Sequence, residues 1–429
     1  MQRVFVLDYE IVSPLGVGKE AVWSSILDGY LAGRRIGRFE AGELPVNSAA
    51  EVTGNLGFSR QDLPEWVDRH ISYDRSLELL VACWNLIVGR ARDYLEAVPA
   101  TRAGLCIGSG QDIPAVEILA QKLDVQFDRG NPVTVADFLH AAWASGIDSG
   151  ELIKFQDVGA AFLASDLGLE AFNNQYLTAC SASNQAAGFA YRAIQQGSAD
   201  IVVAAGADSV LNMIAYNSLA KLGIFIEDER PPEKTCRPLD MSRRGTLIGE
   251  AAGIVLLASE ALVESKGWKP EMEIVGSGNT LDGYKITSPD PDAKGMSRAI
   301  RSALQDASVA PGEIDYIQLH GTGTVSNDPL EIKAIADVFQ DATSSLAVSS
   351  TKDRHGHAVA AAGIQELIIL FEAMRNNLAP CTANLDNPIE SHGIELVRGE
   401  NKPLQLDTCL NHSFAFGGIN SVVVVKKVT

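Results

Sequence analysis

The feature that most constrains how this 429-residue chain can fold is an order of segments that occurs twice. In the first half AGLCIGSG, an apolar run ending in a glycine turn, is followed by YLTACSASNQAAGFAYRAIQQG and later by GEAAGIVLLAS. In the second half YIQLHGTGT is followed by LAVSSTKDRHGHAVAAAGIQELIILFEAM and later by AFGGINSVVVVKK. Each series runs from strand to glycine turn, then from a second strand through a polar loop into a helix of small residues, and then from a turn into a last strand. The match is one of order rather than identity, and it predicts a duplicated α/β unit. A seam is expected near ALVESKGWKPEME, which is polar and turn-rich, dividing the chain into residues 1–265 and 266–429.

The remaining segments suit that plan. RVFVLDYEIV, IVVAAGAD and MEIVGSG read as buried strands, and SLELLVACWNLIVGRA, MSRAIRSALQDA and DPLEIKAIADVF as amphipathic helices, so layered α/β architecture with helices covering the sheets is expected. No apolar run approaches the roughly 18 residues that span a bilayer. MQRVFVLDYEIV lacks a cleavage site and reads as an opening strand, so a cytoplasmic location and no membrane span are expected. A net charge of −19 disfavours nucleic acid as a partner. The six cysteines form no CxxC pair and no cluster with histidine, which disfavours disulfides and a metal site.

One cysteine stands apart. Cys180 lies where the strand YLTA gives way to a helix, so unpaired backbone N–H groups and the helix dipole are expected to lower its pKa. Ala179, Ala182, Ala186, Ala187 and Gly188 let that helix approach other backbone closely. Of seven histidines, His320 and His357 each occupy a glycine-flanked turn, read as matching positions of the repeat, and Lys352 precedes the second by five residues. If the halves pack about a pseudo-two-fold axis, Cys180 faces these three groups, a set suited to covalent thioester chemistry with imidazole N–H groups stabilising a carbonyl oxygen.

These motifs carry a resemblance that extends over essentially the whole chain. TACSASNQAAG, LHGTGT, SSTKDRHGHAVAAAG and NHSFAFGGIN, supported by RPLDMSRRGTLIGEAAGIVLL and TANLDNP, resemble the β-ketoacyl-acyl carrier protein synthases, elongating condensing enzymes of the synthase II-like type in the thiolase superfamily. The resemblance implies a thiolase-like fold of duplicated α/β halves in an α-β-α-β-α stack of layers. It implies that Cys180 carries an acyl group, that His320 and His357 stabilise the enolate left when malonyl loses carbon dioxide, and that Lys352 supports them with Glu366. By the same resemblance, backbone N–H groups of Cys180 and Phe416 hold the oxyanion, Phe416 gates the acyl pocket, and Thr287, Thr322 and Thr324 bind the pantetheine arm. No cofactor is implied beyond the phosphopantetheine of the acyl carrier protein, the expected partner. Within the superfamily, a second histidine in place of asparagine and a cysteine-free FAFGGIN loop favour elongation over initiation or thiolysis. The alternative is a non-catalytic, chain-length-determining subunit of a heterodimeric ketosynthase, but such a subunit would usually have replaced Cys180.

Several positions depart from the family pattern. The first strand reads VLDYEIVSPLG, without the usual Gly-containing TG-type turn; Ala415 stands where glycine is usual; Asp353, Arg354 and His355 follow Lys352 in place of small or neutral residues; and Ala360 and Ile419 replace frequent glycine and threonine. Ala415 is expected to restrict the gate, because alanine accepts positive φ poorly. Together the departures suggest a specialised member, of aryl-polyene or type II polyketide-like kind, acting as a homodimer or with a chain length factor. The least matching stretch, about residues 110–165, is expected at the dimer interface and pocket wall. Since acyl carrier proteins are acidic, docking needs a local basic patch, for which Arg69 with His70 and Arg75, and Arg230 with Lys234, are candidates.

Overall fold

The computed structural model describes residues 2–41, 44, 46–110, 135–144, 157–225 and 229–428. Of the stretch from about 110 to 165, residues 111–134 and 145–156 lie outside the described residues. The first half contributes strands β1 (Val4–Ser13), β2 (Ala103–Ser109), β3 (Asn173–Tyr176), β4 (Ile201–Asp208) and β5 (Ala251–Ser259). The second half contributes β6 (Met272–Leu281), β7 (Tyr316–Gln318), β8 (Ala347–Ser349), β9 (Thr408–Ala415) and β10 (Ile419–Lys427).

The repeat seen in the sequence is reproduced strand for strand. In the first half β1 pairs antiparallel with β5, β5 antiparallel with β4, β4 parallel with β2, and β2 parallel with β3. In the second half β6, β10, β9, β7 and β8 follow in the same sequence of antiparallel, antiparallel, parallel and parallel pairings. The two first strands, β1 and β6, pair over a short register from Val4↔Ile274 to Val6↔Met272, which links the halves into one path of strands. The division at 265/266 falls inside the helix Glu260–Lys266, between β5 and β6.

Helices stack on these strands in layers. Helices α1 (Arg75–Leu95) and α2 (Val158–Leu167) cover the outer face of the first half. Helices α4 (Lys294–Ala307) and α5 (Asn327–Phe339) cover that of the second. Between the two sheet halves lie α3 (Ala182–Gln195) and α6 (Ala362–Asn376), which touch each other and strands of both halves. The result is the expected α-β-α-β-α stack. Doubly covered strands explain the unbroken apolar runs. Along β4, Val202 and Ala204 enter the inner core while Val203 and Ala205 enter the outer one; on β10, Val423 and Val425 point inward, Val422 and Val424 outward. Helix α6 is buried from Ala362 through Met374, which is why IQELIILFEAM is apolar on most sides instead of striped.

Two expectations about elements need correction. YLTA is not a strand: β3 ends at Tyr176, and its Asn-Asn-Gln start, polar and exposed on a sheet edge, hides it from a hydrophobic pattern. FAFGGIN is not wholly a loop: its first two residues, Phe414 and Ala415, end strand β9.

Close approach of the two central helices depends on small side chains, as expected for Gly188 and its neighbours. Gly363 at the start of α6 faces Asn184 of α3, and a Cβ at Gly363 would lie 2.6 Å from the Asn184 backbone nitrogen. Gly363→Ala is therefore expected to cost about 1–3 kcal/mol in urea unfolding through overpacking. By contrast Gly89→Ala, inside α1 where a Cβ meets nothing, is expected to be stabilising by about 0.5–1 kcal/mol.

Candidate active site

Each central helix opens on the same tight turn. Before α3, Thr178, Ala179, Cys180 and Ser181 form it; before α6, Ala358, Val359, Ala360 and Ala361 do. The second residue of each is left-handed, Ala179 at φ 48° and Val359 at φ 44°, a conformation that costs on the order of 1–3 kcal/mol in a residue with a Cβ. Cys180 is thus the counterpart of Ala360, held on an elbow at a helix start. This corrects the equivalence read from the sequence: His320 and His357 do not match one another. His320 follows β7, and His357 lies between β8 and α6, two residues ahead of Val359.

The four groups nonetheless converge. The Cys180 sulfur lies 3.1 Å from Nε2 of His357, the rings of His320 and His357 stand edge to face with centroids 5.2 Å apart, and the sulfur and ring nitrogens lie within 4.8 Å of one another. Lys352, fully buried, ion-pairs with Glu366 of α6 and donates to the His320 carbonyl at 2.7 Å. Its ammonium also lies 3.4 Å from His320 Nδ1. An ammonium can only donate, so Nδ1 accepts and the ring proton sits on Nε2.

Burial sets the charge states. It holds both His320 and His357 far below the ordinary imidazole value, with the Lys352 charge acting in the same direction. Both rings are neutral at pH 7. Burial pushes the Glu366 carboxyl up to about 7 against the pull of Lys352. Cys180 departs from expectation: burial pushes its thiol up to about 12, outweighing Lys352 and the backbone N–H groups of Cys180 and Phe416, while the Asp208 charge adds to the rise. The helix start does favour thiolate, but desolvation is the larger effect. The resting pair is a neutral thiol against a neutral imidazole.

Cys180, His320 and His357 lie in the wall of a cavity of about 800 Å³, with Lys352 and Glu366 behind them. Thr287, Thr322, Thr324 and Phe416 line it as well, with the Thr322 and Thr324 hydroxyls 2.9 Å apart. Ala415 is extended at φ −118°, and the positive φ values fall on Gly417 and Gly418, so alanine is unstrained in this loop conformation. Asp353, Arg354 and His355 are all buried and structural. Asp353 accepts the Asn384 N–H, Arg354 donates to the Ile26 carbonyl, and the His355 ring meets the Thr351 hydroxyl.

The docking candidates fare differently. Arg75 presents no free cation: its side chain is 12% exposed and bound by the buried Glu250 carboxylate at 2.9 Å. Lys234 donates to the Asn384 side chain, whereas Arg69 is exposed beside Glu65, near His70, and Arg230 is half-buried. Two acids were missed. Glu331 accepts the N–H groups of His320 and Gly321 at 2.9 and 2.8 Å, fixing the first histidine loop. Asp208, at the end of β4, accepts the Ala360 N–H at 2.9 Å. A carboxylate ending an apolar strand, and an acid on the buried side of an amphipathic helix, were the available signals.

A duplicated α/β stack with a cysteine on one elbow facing two histidines and a buried lysine defines a thiolase-fold condensing-enzyme site. Comparison with known proteins agrees: residues 1–262 match the beta-ketoacyl synthase N-terminal domain and residues 272–386 its C-terminal domain. The chain belongs to the β-ketoacyl synthase family. It is 31% identical to the 3-oxoacyl-[acyl-carrier-protein] synthase 2 of Coxiella burnetii, across 100% of this chain and 99% of that one. Among solved structures it resembles a beta-ketoacyl synthase from Burkholderia phymatum (TM-score 0.84, 26% identity, all of both chains) and the ishigamide ketosynthase/chain length factor (TM-score 0.82, 26%, all of both chains). No helix among the described residues is long and apolar enough to cross a membrane.

Two outcomes follow from the electrostatics. Only thiolate reacts with iodoacetamide, so alkylation of Cys180 should rise by about tenfold per pH unit from pH 7 to 10; a plateau below pH 8 would contradict the neutral thiol. Lys352→Met lets the buried Glu366 carboxyl protonate and leaves the His320 carbonyl without its donor, and is expected to lower stability by about 1–3 kcal/mol. Adding Glu366→Gln should restore part of that loss in urea unfolding.

Proposed function

We propose that this protein is an elongating β-ketoacyl-acyl carrier protein synthase that joins an acyl group held on Cys180 to malonyl-carrier protein with loss of carbon dioxide. The observation that carries this reading is the convergence of the Cys180 sulfur with two neutral imidazoles in one largely apolar cavity. In the loading step the sulfur attacks the acyl thioester carbonyl, His357 takes the thiol proton, and the carrier's pantetheine thiol leaves with a proton. In the second step the bond from the malonyl methylene to its carboxylate breaks. The electron pair passes into an enolate whose oxygen accepts from the imidazole N–H groups of His320 and His357.

The methylene carbon then attacks the acyl carbonyl on Cys180. The resulting oxyanion is held by the N–H groups of Cys180 and Phe416, and collapse expels the Cys180 sulfur, which regains a proton. Each such donor is worth about 3–4 kcal/mol. Lys352 fixes His320 with Nε2–H toward the substrate, and Glu366 balances its charge. Thr287, Thr322 and Thr324 offer hydroxyls to the pantetheine arm.

The departures at Ala360, Ala415 and Ile419 and the likeness to the ishigamide ketosynthase/chain length factor support a polyketide- or aryl-polyene-like setting, with a second ketosynthase-fold subunit as partner. Such a subunit fits the outer edge of β3, which pairs with no strand among the described residues and where Tyr176 stacks on the 40% exposed Phe189.

Cys180→Ala is expected to abolish acyl loading from acyl-carrier protein, read by intact-protein mass spectrometry. His320→Ala and His357→Ala are expected to retain more loading than decarboxylation, each losing on the order of 100-fold in carbon dioxide release from malonyl-carrier protein. Normal release in both histidine variants would sink the assignment.

A further inference from the structure

The second elbow repeats the donor geometry of the first without a nucleophile. Cys180 N–H and Phe416 N–H bracket the sulfur, Phe416 being the residue that follows the last position of β9. The counterparts are Ala360 N–H, on the second elbow, and Ser209 N–H, which follows the last position of β4. Both are occupied by side-chain oxygens: Asp208 Oδ2 lies 2.9 Å from the Ala360 nitrogen, and Ser76 Oγ 3.0 Å from that of Ser209. The two counterpart N–H groups are therefore each held by an acceptor from within the chain, by a different side chain in each case.

The Asp208 contact is built rather than incidental. Asp208 is 3% exposed and lines the same cavity as Cys180. Its carboxylate fills the space that a side chain at residue 110 would need, since a Cβ on Gly110 would lie 2.3 Å from Asp208 Oδ1. The N–H it holds belongs to the residue after Val359, whose left-handed backbone is strained, and His357 sits two residues before Val359. A fixed anion at Ala360 thus pins the turn that aims the His357 ring at the sulfur.

We propose that Asp208 is a positioning residue of this site: its carboxylate accepts the Ala360 N–H of the second elbow and so holds the turn that places His357 against Cys180. The inference rests on Cys180 being the nucleophile proposed above. The charged and titratable groups facing the sulfur are Lys352 and Asp208, with opposite effects, and the rings of His357 and His320. Removing the Asp208 charge tips this balance toward thiolate. Removing the oxygen as well frees the elbow.

Iodoacetamide alkylation of Cys180 in the substrate-free protein, quantified by peptide mass spectrometry at pH 8.5, separates these effects without any carrier protein, so it stands apart from the loading and decarboxylation assays. Asp208→Asn keeps an oxygen for the Ala360 N–H and loses the charge, so its rate is expected to rise above that of the unaltered protein. Asp208→Ala loses both, and should alkylate several-fold more slowly than Asp208→Asn because His357 no longer takes the thiol proton from a fixed position. An unchanged rate in Asp208→Asn overturns the electrostatic role, and equal rates in the two variants overturn the positioning role. Should Asp208→Ala fail to fold, Asp208→Ser, whose shorter side chain withdraws the oxygen from the Ala360 N–H, takes its place in the comparison with Asp208→Asn, and equal rates again overturn the positioning role.

Discussion

The contact on which the site depends is the crossing of α3 and α6 between the two sheet halves. At that crossing Gly363 yields space to Asn184, and the Asn411 side chain donates to both the Asn184 side chain and the Gly363 carbonyl at 2.9 Å. Asn184 in turn donates to the Ser421 carbonyl. These are buried amide hydrogen bonds that span the halves, and an unmatched partner in such a place leaves a desolvated polar group. They fix how far apart the helix starts lie. Since Cys180 stands on one start and His357 just ahead of the other, the reach from sulfur to imidazole is set by helix packing, not by the local loops.

Exclusion of water then governs the chemistry. Burial keeps both rings neutral, and the fully buried Lys352 adds its charge in the same direction while holding His320 in one tautomer. Glu366 offsets that charge, while Asp208 and Glu331 fix the backbone on either side. A neutral imidazole with its proton on Nε2 is a hydrogen-bond donor that needs no reorganisation when negative charge develops in front of it. A solvated site with the same residues would let histidines protonate and lose that selectivity for anionic states.

Much of this was legible because duplicated motifs keep their order even when their residues diverge. Cys180, His320, Lys352 and His357 stand beside glycines and small residues that only a close-packed turn requires, so their motifs are distinctive. Other parts were hidden. The start of β3 is polar because it lies on an edge, and Arg75, which looks like a surface cation, is committed to Glu250. The thiol's raised pKa was missed for a related reason: a helix start is visible in a sequence, whereas the depth at which it is buried is not. Asp208 carries no motif of its own, because its partner Ala360 is 152 residues away.

By itself the sequence determined the α/β class, the repeat, the candidate nucleophile and the histidines and lysine that meet it, since these are properties of local pattern and residue type. The tertiary structure alone decided which turns are true counterparts, with Cys180 matching Ala360 rather than one histidine matching the other. It also decided that Cys180, His320 and His357 rest uncharged and that Asp208 and Glu331 hold backbone N–H groups beside them. The reason is physical: strand order and side-chain chemistry are written along the chain, but desolvation and the meeting of two helix starts arise only when both halves enclose the same space.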